Sequence, residues 1–241
     1  MQLPKSTIKF FKDLKQNNNR DWFTLNKAHF KEIENQVKTF GNEIKNKLNE
    51  HDNIDRFKLF RIYRDVRFSK DKTPYKTHFG LYWNRVKPQL RGGYYLHLSP
   101  KNNFLACGFW NPNPADLKRI RQEFLYDSLE FRRIIGNNQI NSTWGPLIGD
   151  ELKTAPRNFD LNHPDIDLIR KKQFIFRINF LDNEVYNEKF INKIDLSIKT
   201  IRPFLNYMSE VLTTDENGAV SYTHLRAHET EADLVCRLLL E

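Results

Sequence analysis

The sequence predicts an α+β fold, a mainly antiparallel sheet packed by N-terminal, middle and C-terminal helices, in a single compact domain over residues 1–218. Three observations carry this. Helical periodicity occupies the start, the middle and the end of the chain. Between these lie short runs of aromatic and β-branched residues whose connections are short, which implies antiparallel neighbours. No Gly- or Ser-rich linker interrupts them.

Taken in order, Ser6 can cap a short helix with Ile8, Phe11 and Leu14 inward, ended by Asn17, Asn18 and Asn19. Trp22, Phe30, Ile33, Val37, Ile44 and Leu48 then mark one face of a long helix, with lysines mostly on the other. Strands are expected at Phe57 to Tyr63, Phe79 to Trp83, Tyr94 to Leu98 and Phe104 to Phe109, the last two joined by a turn at Ser99 to Asn103. Asn113 and Pro114 form a helix start; Asp127 followed by Glu130 predicts a break, and Gly136 a stop. From Asn137 to Pro164 the pattern is irregular. Phe174, Phe176, Ile178 and Phe180 alternate along one more strand, and Phe190 to Met208 describe a final helix that Pro203 is expected to kink or divide.

The chain carries 39 Lys and Arg against 30 Asp and Glu, a net charge of +9. Residues 219–241 read as something other than natural protein, since VSYTHLRAHETEADLVCRLLLE back-translates codon by codon into the two ends of a sequencing adapter flanking an index-length gap. Without that tail, which is net acidic, the remainder is more basic still. Cys236 falls in the tail, so Cys107 stands alone: an intrachain disulfide and a multi-cysteine zinc site are excluded, and a reducing compartment is implied. The start MQLPKSTIKFF has no apolar signal core and no apolar run is long enough to span a bilayer, so the expected location is the cytoplasm, without a membrane partner.

Polar chemistry concentrates in RIYRDVRFSKDKTPYKTH, residues 61–78. From Arg56 to Lys76 eight Lys and Arg meet only Asp65 and Asp71, which makes the segment attract anions. Ser69, Asp71 and Thr73 can bond their own backbone and Pro74 fixes φ, so the loop is shaped. Arg64, Arg67, Lys70, Lys72 and Lys76 are the candidate ligands for a phosphate or carboxylate. Lys70, Lys72 and Lys76 lie where no apolar periodicity runs and are expected near solvent. A strand continued to Phe68 would turn Arg64 inward with Ile62 and Val66, where it would need a partner, and Arg64→Ala would destabilise the core.

Asp65 and His78 are the candidate acid–base residues, and His97 could join His78 across the sheet. For each histidine a satisfied structural role competes with catalysis. Tyr94, Tyr95 and Trp110 could stack bases or simply pack the core, and Cys107 reads as a small core residue. The histidines and acids lack metal-ligand spacing, Gly92 and Gly93 suit a close approach better than a phosphate loop, and no cofactor is implied.

RIYRDVRFSKDKTPYKTH, followed by GGYYLHLSP, GFWNPNPADLKRIR and LKTAPRNFDLNHP, and preceded by NNNRDWF, resembles the family of bacterial and fungal conserved hypothetical proteins called domain of unknown function 2461. The resemblance spans residues 1–218 and implies an α+β domain with no established activity. The family usually has Gly in the turn after its HL-x-P strand, where this chain has Lys101. Three functional expectations follow from the residues. The first is binding of a phosphate-bearing anionic ligand, a nucleotide or nucleic acid, through loop 61–78. The second is an enzyme acting on a phosphate- or carboxylate-bearing substrate, with Asp65 or His78 moving protons. In the third the loop is only a structural tie.

Overall fold

A computed structural model describes residues 2–214, so the tail at 219–241 lies outside the described residues. The fold is α+β. Helices α1 (Ser6–Gln16) and α2 (Arg20–Leu48) lead into strands β1 (Ile54–Leu59), β2 (Phe79–Arg85), β3 (Gly93–Leu98) and β4 (Asn103–Phe109). Helices α3 (Pro114–Tyr126), α4 (Leu129–Ile135), α5 (Asn138–Trp144) and α6 (Ile166–Ile169) precede β5 (Phe174–Phe180), α7 (Asp182–Val185) and α8 (Phe190–Thr213). The five strands form one antiparallel sheet in the order β1-β2-β3-β4-β5.

By its contacts the chain divides into two units. The first comprises the described chain to Trp83 with Tyr95–Leu105 and Asn179–Leu196; the second comprises Asn84–Tyr94, Ala106–Ile178 and the described chain from Ser197.

In the first unit, α2 starts where Asn19 accepts the Trp22 N–H at 2.9 Å, and of the predicted stripe Phe30, Ile33, Val37, Ile44 and Leu48 are buried, while Trp22 is only half-buried and Phe23 and Phe40 are buried in addition. Phe30 stacks on Phe79 at 5.8 Å, and Trp83 donates its indole N–H to the Gly41 carbonyl at 2.9 Å. Ser6 is the first residue of α1 and not its cap, because Lys5 already has helical backbone angles and makes no side-chain cap bond. The β3–β4 turn closes through Asn102 N–H to the Ser99 carbonyl at 3.0 Å. Lys101 sits in that turn at φ 62°, the left-handed region that favours glycine. Lys101→Gly is therefore expected to stabilise the protein by about 0.5–1 kcal/mol, strain relief less the added chain entropy. Chemical denaturation of the two proteins checks this, and an unchanged midpoint would contradict it.

In the second unit, Asn113 caps α3 by accepting the Asp116 N–H at 2.9 Å, with Pro114 at the first position. The chain breaks at Asp127, whose carboxylate accepts the Leu129 N–H at 2.8 Å, and α4 ends at Gly136. Phe124, Phe131 and Phe174 pack together at centroid distances of 4.6–6.3 Å. Gly92 has φ 77°, and a Cβ there would lie 3.0 Å from Leu205, the close approach that its position predicted.

Some elements differ from expectation. The strand placed at 57–63 is β1 and ends at Leu59. Helix α5 lies inside the stretch read as irregular, started by Asn137 and held by Trp144, whose indole N–H donates to the Ser197 carbonyl at 2.8 Å. The single turns α6 and α7 are too short for periodicity to register. Pro203 does not divide α8, because the fully buried Ile201, Phe204, Leu205 and Met208 outweigh the one hydrogen bond it removes.

Candidate functional site

Loop 61–78 belongs wholly to the first unit. After β1, Phe60 still donates its N–H to Gly80 at 2.9 Å, and burial keeps alternating: Phe60 and Ile62 are buried while Arg61 and Tyr63 are exposed. The last pairing is the antiparallel bridge of Tyr63 with Tyr75, flanked by Arg64 N–H to Pro74 at 2.9 Å and Lys76 N–H to Ile62 at 2.7 Å. These bonds pinch the chain into a closed loop. Asn18 fastens its base, with bonds of 2.9 and 3.2 Å to the backbone of Tyr75, whose ring stacks on Phe23 at 4.0 Å.

The strand does not continue to Phe68, so Arg64 does not enter the core. Its side chain is 25 % exposed and donates to the Asp71 carboxylate and the Thr73 hydroxyl, crossing the loop. Asp71 also accepts the Thr73 N–H at 2.9 Å. The Arg64 hydrogen bond, aided by those from Thr73, lowers the Asp71 carboxyl to about 2. Arg64→Ala is thus expected to loosen the loop and leave the core intact.

Asp65 takes the Arg67 guanidinium on both oxygens, at 3.0 and 2.7 Å. That hydrogen bond is the main cause raising the Arg67 pKa, but the pair is exposed and contributes little to the fold. Lys72 reaches across to the Val66 carbonyl at 2.9 Å. Lys70 and Lys72 are exposed as expected, whereas Lys76 is half-buried, its ammonium 5.9 Å from the centroid of the Phe60 ring. Lys58 lies over that ring at 4.8 Å, so two cations sit close to one aromatic ring.

His78 is buried and stacks on His97 at 4.4 Å, and His97 in turn stacks on Phe104 at 4.7 Å. The Tyr95 hydroxyl lies 3.2 Å from His97 Nδ1. Burial above all, then His97, Lys76 and Arg64, pushes the His78 pKa well below the usual histidine range and keeps the ring neutral. Asp65 and His78 are therefore in different settings: a carboxylate gripped by Arg67 in the exposed loop, and an imidazole inside an aromatic stack. Among the described residues no group of three or more His, Cys, Asp or Glu gathers in a way that could hold a metal ion.

Tyr94 and Tyr95 are buried, which removes them as stacking surfaces, and Trp110 is half-buried. Cys107 is buried in β4, and burial raises its thiol pKa. His163 precedes α6 and accepts the Asp165 N–H at 3.1 Å, a helix-start role. Two features escaped the sequence reading. Phe68, considered only as the far limit of a possible strand continuation, is 95 % exposed at the loop tip between Arg67 and Lys70. Arg85 and Arg91 are buried in the second unit, Arg85 against Asn206 at 2.5 Å and Arg91 against Asp116 at 2.5 Å. Strand alternation could have flagged Arg85, since Leu81, Trp83 and Arg85 share a face.

The family model described as conserved hypothetical protein, DUF2461, matches residues 6–207. No curated protein and no solved structure matches the chain.

Proposed function

The chain belongs to the DUF2461 family of conserved hypothetical proteins, and from that premise we propose that it binds a phosphate-bearing anionic ligand, a nucleotide or a nucleic acid, through loop 61–78. One observation carries the reading. The loop's two carboxylates are engaged by Arg64 and Arg67, and the remaining cations at its tip, Lys70 and Lys72, face solvent. Arg64, bonded to Asp71 and Thr73, crosses the loop and holds its shape, and the exposed lysines supply the field that draws an anion. Arg61, also exposed, extends that field along the loop. Binding fits better than catalysis because a buried, neutral His78 offers no proton exchange with a ligand at the tip. The same reading places the protein in the cytoplasm, where such ligands abound. Among the described residues no helix is long and apolar enough to cross a membrane.

The test is a titration of the parent and of a Lys70→Ala/Lys72→Ala variant with ATP and with a labelled oligonucleotide. The parent is expected to bind at least one of them saturably, and the variant at least tenfold more weakly with an unchanged melting temperature. The pairs Arg64–Asp71 and Arg67–Asp65 would also suit a loop that merely closes on itself, a reading that predicts no saturable binding by either protein.

A further inference from the structure

We infer that the ligand of loop 61–78 is single-stranded nucleic acid, with Phe68 as the surface on which a base stacks; this rests on the anion-binding reading above. Phe68 is 95 % exposed, and its neighbours in sequence are Arg67, Ser69 and Lys70. A lone exposed phenylalanine is ordinary on a protein surface. This one stands at the tip of a loop fastened at its base by the Tyr63–Tyr75 bridge and across its width by Arg64 to Asp71 and Lys72 to Val66. An aromatic face held in place among cations combines stacking with phosphate contacts, the two elements of sequence-tolerant single-strand binding.

The chemistry also discriminates among ligands. Bases in a duplex are already stacked on one another and offer no face to an inserted ring without unstacking. A free mononucleotide carries its phosphates at one end and engages only some of the exposed cations Arg61, Lys70 and Lys72, whereas a strand presents a phosphate at every step. Tyr63, in the bridge at the base of the loop and packed against Tyr75 at 5.5 Å, is 48 % exposed and is a second partly exposed aromatic of this segment. A lipid surface would require apolar area around Phe68, and its flanking residues are charged or polar.

The experiment measures fluorescence anisotropy of labelled oligothymidylate, a labelled hairpin duplex and labelled ATP with four proteins: parent, Phe68→Ala, Phe68→Trp and Lys70→Ala/Lys72→Ala. Co-sedimentation with phosphatidylserine vesicles runs in parallel, and melting temperatures confirm that each variant is folded. Phe68→Ala is expected to weaken oligothymidylate binding about 5- to 150-fold while keeping the parent's salt dependence, and Phe68→Trp to restore it. If Phe68→Ala binds oligothymidylate like the parent while the lysine variant loses it, the stacking inference is overturned and the anion-binding loop stands. Duplex binding as tight as single-strand binding, or Phe68-dependent capture by vesicles without oligonucleotide binding, also overturns the inference. If neither oligonucleotide nor ATP binds, or the lysine variant binds both like the parent, the anion-binding reading itself fails.

Discussion

Asp116→Ala is expected to destabilise the protein by about 3–5 kcal/mol, a fall of roughly 10 °C in melting temperature for a chain of this size. Asp116 and Arg91 are only 3 % and 5 % exposed, and their side chains meet at 2.5 Å. Asp116 also receives the Asn113 side-chain amide at 2.9 Å at the start of α3, while the Arg91 N–H donates to Ser209 at 2.8 Å on α8. Truncating the carboxylate takes away the buried partner that the guanidinium meets at 2.5 Å, which costs far more than breaking a surface pair. Replacing both partners, as in Arg91→Met/Asp116→Leu, is expected to recover most of the loss, because no charge is then stranded. Urea unfolding of the three proteins measures this. If Asp116→Ala unfolds within 1 kcal/mol of the parent, the pair is open to water.

The second large effect is acid sensitivity centred on His78. Its imidazole is held neutral in the fold by burial and by His97, Lys76 and Arg64, while in the unfolded chain it titrates near 6.5. The unfolded state therefore binds a proton that the native state refuses once the pH drops below 6.5. Stability is fully present above that value and is lost as the pH falls, with a slope approaching about 1.4 kcal/mol per pH unit until the native ring itself protonates. His78→Phe keeps a ring against His97 and removes the titration. Unfolding free energies at pH 7.5 and 5.0 are expected to differ by more than 1 kcal/mol less in the variant than in the parent. Equal losses in the two proteins would show that His78 is not the group responsible.

Helix α2 was legible because Phe30, Ile33, Val37, Ile44 and Leu48 repeat over many turns, and α3 because Asn113 and Pro114 are local signals that need no partner. Helix α5 was not, since its stability comes from distant contacts such as Trp144 to Ser197 and not from a repeat in its own seven residues. The turn chemistry of Asp71, Thr73 and Pro74 was readable for the same reason as α3. The direction of Arg64 was misread because period-two alternation holds only while a partner strand enforces it, and pairing here stops at Tyr63. Phe68 was missed as a consequence. A phenylalanine after a run of strand residues reads as a buried position, and only the three-dimensional closure of the loop shows it pointing into water. The stacking of His78 on His97, in contrast, follows from pairing β2 with β3 and was open to inference once both strands were recognised.

On the proposed function, exposed Lys70 and Lys72 of loop 61–78 contact phosphates. The most direct measurement is the affinity of the parent and of Lys70→Ala/Lys72→Ala for labelled oligothymidylate at several salt concentrations. Each lost phosphate contact on a single strand lowers the slope of log affinity against log salt by about 0.7. The predicted result is a slope about 1.4 shallower in the variant, at an unchanged melting temperature. A variant that binds with the parent's slope would contradict the claim.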